Sequence, residues 1–164
     1  MLERIFHPFE PVFDEASRIL ILGTMPSPKS REQQFYYGHP QNRFWRILSA
    51  LFTENTLNTV SEKTAFLLQK HIALWDVFSA CDIKGADDSS IRNALPNDLD
   101  RIFDKAEINA VFTNGQKASA AYKKYFAGKY PVKWISLPST SPANCRNWTL
   151  DSLTEAWRVI LDYL

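Results

Sequence analysis

Four short apolar runs punctuate the chain: "RILILG" (18–23), "ALWDVF" (73–78), "NAVFTNG" (109–115) and "VKWISLPST" (132–140). They are branched or aromatic through the middle and become small or polar towards the C-terminal end, as buried strands of a parallel sheet do. Between them apolar residues recur at helical spacing. Phe44, Ile47, Leu48 and Leu51 form one such face, and Ala65, Phe66, Leu68 and Ile72 another behind a Ser61 cap. Ala118, Ala121, Tyr122 and Tyr125 follow Gly115, and Leu153, Trp157, Ile160 and Leu161 follow the cap-like Thr149-Leu150-Asp151-Ser152. Strand and helix alternating in this way predict a three-layer α/β/α sandwich around a four-stranded parallel sheet. No repeat or low-complexity linker divides the chain, so residues 1–164 read as one domain.

Ligands of open parallel sheets gather beyond the carboxyl ends of the strands. Four segments occupy that edge: "GTMPSPKSREQQFYYGHPQNRFW", "SACDIKGADDSS", "TNGQK" and "LPSTSPANCRNW". The first and last are long, proline-rich and full of hydrogen-bonding groups, the form that functional loops take. Asp87-Asp88-Ser89-Ser90 reads first as the cap of a short helix and only second as a contact near a pocket.

Composition narrows the classes. The chain is 45% hydrophobic, 13% aromatic and 23% charged, ordinary for a globular domain rich in rings. No apolar run has the length of a membrane span and the N-terminus lacks a signal-peptide layout, so a cytoplasmic protein is expected, nucleoid-associated if bacterial or archaeal. Cys81 and Cys145 belong to no metal-ligand pattern, and two cysteines cannot hold a four-cysteine iron–sulfur cluster. No metal and no cofactor is expected. Net charge is +1, but Lys29, Arg31, Arg43 and Arg46 cluster in one stretch and Lys117, Lys123, Lys124, Lys129 and Lys133 in another. Seven acids lie between them, in residues 82–107. A surface with one face suited to phosphates competes here with merely solvated charge.

Single residues leave alternatives open. Gly23-Thr24-Met25-Pro26-Ser27 matches neither G-x-G-x-x-G nor a P-loop. His39 is more readily structural than catalytic, and no nucleophile elbow or zinc-spaced histidine pair occurs. Of Phe35, Tyr36 and Tyr37, either all three pack on the following helix or one ring is exposed as a stacking platform. Asn42 is either a helix N-cap or a group aimed at a water or a base edge.

"LILGTMPSPKSREQQFYYGHPQNRFW" together with "LPSTSPAN" resembles the uracil-DNA glycosylase superfamily, most closely its hypoxanthine-DNA (deoxyinosine) glycosylases. The resemblance covers nearly the whole chain and implies a cleft over a flipped base, formed by the loops after the first and fourth strands. It implies Tyr37 as the base-stacking ring, with Phe44 and Trp45 in the core. Many members carry Asp or Asn two residues after the first glycine to position water. Met25 stands there, so the resemblance passes the catalytic role to Asn42. "STSPAN" also lacks the histidine that stabilises a departing uracil anion.

The resemblance implies DNA containing a deaminated base as partner, a monomer, and hydrolysis of the N-glycosidic bond without a covalent intermediate. Thr24, Met25, Ser27 and His39 would join Tyr37 around the base. The Met25 and Ser27 N–H groups are available for hydrogen bonds there, since Pro26 has none. Ser139, Thr140, Ser141, Lys117, Lys29 and Arg31 would contact phosphates, with Ala143 or Asn144 as a small wedge. The rivals are a mismatch uracil/thymine glycosylase and a non-catalytic module that binds damaged DNA or a nucleotide.

Overall fold

The computed structural model describes residues 1–164. In chain order the elements are β1 (Glu3–Phe6), β2 (Ile19–Gly23), α1 (Pro28–Gln33), α2 (Phe44–Leu51), α3 (Val60–Gln69), β3 (Ile72–Asp76) and β4 (Phe78–Lys84). Then follow β5 (Asp87–Pro96), α4 (Asp100–Phe103), β6 (Ala110–Asn114), α5 (Gln116–Phe126), β7 (Lys133–Leu137) and α6 (Leu150–Trp157). The four expected strands form one parallel sheet in the order β3-β2-β6-β7. Every residue of β2 and β3 is buried, which is why these segments are continuously apolar rather than alternating. The α/β architecture is the expected one.

A second, antiparallel sheet, β1-β4-β5, was not anticipated. Its sequence carries little periodicity: β5 buries only Ile91, the rest being exposed or half-buried, and the β4–β5 register is interrupted by irregularities. Asp87-Asp88-Ser89-Ser90 therefore caps no helix; it starts β5 just after the turn at Gly85, whose φ is +57°. The chain passes from one sheet to the other across Val77. Its N–H donates to Gly23 O, and buried Asn97 clamps the crossing by donating from Nδ2 to Asp76 O and Phe78 O. This fixes the hairpin against the carboxyl edge of the parallel sheet.

Two helix readings need adjustment. Thr59, not Ser61, caps α3, its side chain accepting from Glu62 N–H at 3.0 Å. The buried residues of α3 are Phe66 and Leu67, while Ala65 is exposed and Ile72 belongs to β3. Elsewhere the apolar faces are as read. Phe44, Ile47, Leu48 and Leu51 are buried on α2, and Leu153, Trp157 and Ile160 are buried at the C-terminus. Trp157 Nε1–H donates to Pro138 O, tying the last helix to the loop after β7. No helix is long and apolar enough to cross a membrane.

Candidate active site

The three consecutive rings divide their labour. Phe35 and Tyr36 are buried: Phe35 stacks on Trp45 with centroids 5.9 Å apart, and Tyr36 Oη donates to Glu10 O at 2.8 Å. Tyr37 adopts φ 53°, a left-handed turn that points its ring the other way. One face of that ring lies on Phe44, 4.1 Å between centroids and 24° from parallel, while the residue also lines a pocket of about 290 Å³. Its hydroxyl reaches down towards Gly23, where an added Cβ would stand 2.9 Å from Oη and 2.5 Å from Asp76 Oδ1. Burial, helped by Asp76, pushes the phenol well above its ordinary range, so it stays protonated.

Asn42 lies one residue before Arg43, the N-cap of α2, and lines the pocket. Its Oδ1 accepts from Phe44 N–H at 3.0 Å, holding the start of α2, and from Thr140 Oγ1–H at 2.8 Å. Both lone pairs of the amide oxygen are thereby used, and the NH₂ is left for the pocket. Thr140 in turn accepts from Asn114 Nδ2 at 3.0 Å and donates its N–H to Asn114 Oδ1 at 3.0 Å. The chain Asn114–Thr140–Asn42 joins the ends of β6 and β7 to the loop before α2. Thr140 is fully buried with its hydroxyl occupied, so it holds Asn42 rather than a phosphate.

Two acids line the pocket, Asp76 in the floor and Asp88 at the mouth, where the second reading of its segment put it. Asp76 ends β3, and its Oδ2 lies 2.7 Å from His7 Nε2. His7 Nδ1 lies 2.8 Å from Phe9 O, which can only accept. Nδ1 therefore bears a proton, and a second proton must sit between Nε2 and the carboxylate. Asp88, from the unexpected hairpin, accepts from Thr24 Oγ1–H at 3.0 Å. Burial pushes its carboxyl up to about 6; Thr24 and Lys117 oppose that rise, while Asp76 and Asp87 reinforce it.

The other expected residues are spread over the pocket, the trough beside it and the surface outside both. Met25, Ser27 and His39 line the pocket. Met25 is buried, Ser27 caps α1, and His39 Nδ1 accepts from Gln41 N–H at 3.1 Å. Neither Met25 N–H nor Ser27 N–H donates to another protein group. Lys117, Ser139, Ser141, Ala143 and Asn144 border a wider trough of about 710 Å³ that opens beside the pocket. Lys29 and Arg31 are in neither hollow: Lys29 is exposed and paired with Glu32 at 3.6 Å, and Arg31 Nη1 donates to Pro26 O. Arg43, counted among the basic residues, is buried and braces the loop by donating to Trp148 O and Ser141 O. Charge is not sorted into opposite faces here, since Lys117 shares the trough with Asp87 and Asp88.

Asp76, Asn114 and His7 were missed as site residues. Asp76 had a signal, a lone acid inside the apolar run "ALWDVF", and Asn114 stood at the strand end in "TNG". His7 had none, because only folding brings it 69 residues along the chain to its partner.

A narrow pocket at the edge of a parallel sheet, walled by a ring and an amide and opening to a long trough, has the form of an enzyme site with room for one flat group beside an extended ligand. The family model described as "Uracil DNA glycosylase superfamily" matches residues 10–161. The chain belongs to that superfamily: it is a DNA glycosylase, and DNA is its substrate. It is 38% identical over 141 residues to a Methanosarcina acetivorans protein named hypoxanthine DNA glycosylase, covering 84% of this chain and 87% of that one. A Methanosarcina barkeri protein of the same name is 35% identical over 151 residues, 91% of this chain and 93% of its own. A solution NMR structure from Methanosarcina acetivorans, described provisionally as a uracil DNA glycosylase, superposes with a TM-score of 0.79 at 33% identity. It covers 93% of this chain and 96% of that one.

Proposed function

We propose that the protein excises hypoxanthine from deoxyinosine in DNA, as a monomer that flips the nucleotide and hydrolyses its N-glycosidic bond with water. The observation that carries this is the fixed orientation of Asn42. With its oxygen engaged by Phe44 N–H and Thr140, it presents a donor to the pocket. Met25 N–H and Ser27 N–H add two more donors on the same lining. A donor-rich pocket suits a base that carries a carbonyl where adenine carries an amino group, which is what deamination produces. The names of the two Methanosarcina relatives support the same substrate.

The chemistry follows from the lining. The base leaves the stack at a cost of a few kcal/mol, least when it is mispaired, and the free face of Tyr37 recovers part by stacking, about 1–3 kcal/mol. As the C1′–N9 bond lengthens, negative charge spreads over the purine, and preorganised N–H groups stabilise it. The pocket lining contains no lysine or cysteine, and Lys117, which borders the adjoining trough, is read as a phosphate contact rather than a nucleophile. Lys117, Ser139 and Ser141 border the trough that would carry the flanking strand, with Ala143 and Asn144 at its rim.

The test is a panel of duplexes identical except for one hypoxanthine, uracil, xanthine or mispaired thymine, scored by abasic product. Hypoxanthine should be released fastest, and Asn42→Ala should lose most of that activity while remaining folded. Faster uracil or thymine release would favour the mismatch enzyme. Binding to damaged duplex without any abasic product would make the chain a non-catalytic module.

A further inference from the structure

Deoxyribose must lie where the base pocket meets the strand trough, because the glycosidic bond joins what enters one to what runs along the other. Six residues line both hollows: Ala86, Asp88, Asn114, Ser139, Ser141 and Ala143. Only one of the six has a side chain able to take up a proton. We propose that Asp88 is the catalytic base, holding the attacking water by one carboxylate oxygen and accepting its proton. This rests on the glycosylase reading above and supplies the group that Met25 cannot.

The alternatives within the site are already occupied or elsewhere. Asn42 offers a donor, and an amide oxygen with both lone pairs engaged cannot align water as an acceptor. His39 accepts from Gln41 N–H through Nδ1, so its remaining nitrogen is the protonated one. Asp76 lies in the pocket floor and not at the junction, one oxygen on His7 and the other over Gly23 beside the Tyr37 hydroxyl. Asp88 keeps Oδ1 free, because Thr24 holds only Oδ2. Thr24 thus acts as a positioning residue that fixes the plane of the carboxylate.

The step balances simply. The water oxygen bonds to C1′ as the C1′–N9 bond breaks and its electron pair leaves with the base. One water proton passes to the Asp88 carboxylate, and the product is a base anion and an abasic sugar bearing a 1′-hydroxyl. The purine is then protonated by solvent, and Asp88 returns its proton to solvent. The groups facing the carboxylate are Thr24 beyond β2, Asp76 at the end of β3, Lys117 on α5 and its neighbour Asp87. Their balance, with burial, places its titration at about 6, so the base is ionised at neutral pH yet ready to take a proton.

Single-turnover release of hypoxanthine from a duplex, followed from pH 5 to 8.5, tests the assignment together with binding to an uncleavable 2′-fluoro-deoxyinosine duplex. The parent rate should rise through about pH 6 and level off. Asp88→Asn should be slower by about 100-fold or more, lose that rise, and bind the uncleavable duplex within about twofold of the parent. Thr24→Val should fall less, keep the pH rise and bind normally. Parental rates in Asp88→Asn, a retained pH rise, or loss of binding to the analogue would overturn the proposal. Asp88→Ser, with a circular dichroism spectrum like the parent's, should show the same slow, pH-flat release, and parental release by it would also overturn the proposal. A parent that releases uracil in preference to hypoxanthine overturns the substrate reading alone, and Asp88 is then judged by the same ratios on uracil. A parent that releases no base overturns both.

Discussion

Replacing Thr140 by valine removes one hydroxyl while keeping the branched shape of the side chain. That hydroxyl joins Asn114 Nδ2 to Asn42 Oδ1, and Thr140 is fully buried, so no solvent replaces it. Asn42 Oδ1 keeps only the Phe44 N–H, and Asn114 Nδ2 loses its acceptor. Each of the two lost hydrogen bonds costs about 0.5–1.5 kcal/mol, and the half-buried Asn114 Nδ2 can turn to water in the pocket it lines. The valine variant should therefore be less stable by about 1–3 kcal/mol. At about 2–4 °C per kcal/mol for a chain of this size, the melting temperature should fall by roughly 3–10 °C. Activity should fall further than stability explains, because the Asn42 amide can then turn its oxygen towards the pocket. Every 1.4 kcal/mol lost from transition-state stabilisation is a tenfold loss of rate. Thermal melts and single-turnover cleavage at a temperature where both proteins are folded measure the two effects. Thr140→Ser, which restores the hydroxyl, should lie near the parent in both. A valine variant that melts within a degree or two of the parent and cleaves as fast would refute the hydrogen-bonded chain as the support of Asn42.

Gly23→Ala tests the pocket floor: its Cβ would come within 2.5 Å of Asp76 Oδ1 and 2.9 Å of Tyr37 Oη. It should displace the stacking ring and lower cleavage at least tenfold, with circular dichroism unchanged; parental activity would show the floor to be more yielding than drawn. Asp88→Asn should also change the pH dependence of stability. Its carboxyl titrates at about 6 in the fold, above the ordinary carboxylate range, so folding favours the protonated form. That contribution is complete below about pH 4, fades as pH rises to about 6, and above that the ionised group costs the fold about 1–3 kcal/mol. The asparagine variant should therefore melt level with the parent near pH 4 and higher than it at pH 8. An equal difference at both pH values would remove the buried-carboxylate argument.

Much of this site was legible before folding because its carriers are local. The "FYYGHPQNRFW" stretch places Tyr37 and Asn42 on one loop, between α1 and the start of α2. The runs of β2, β3 and β6 read continuously apolar because those strands are buried on both faces, while β7, at the sheet edge, buries only Leu137. The direction of each element then puts the glycine-containing loop after β2 and the "STSPAN" loop after β7 at the same edge.

Other features had no sequence signature because they depend on residues distant in the chain. The antiparallel hairpin buries so little of β5 that no period-two pattern marks it, yet it carries Asp88 to the pocket mouth. Thr140 looked like a phosphate contact until folding buried it between two asparagines. His7 gains a role only from a hydrogen bond across 69 residues of chain. Sequence by itself determined the strands of the parallel sheet, the helices with an apolar face and which loops share an edge, because burial and backbone propensity act over a few residues. Tertiary structure alone decided which polar groups are occupied and which stay free, because a hydrogen bond is settled by its partner's position in space.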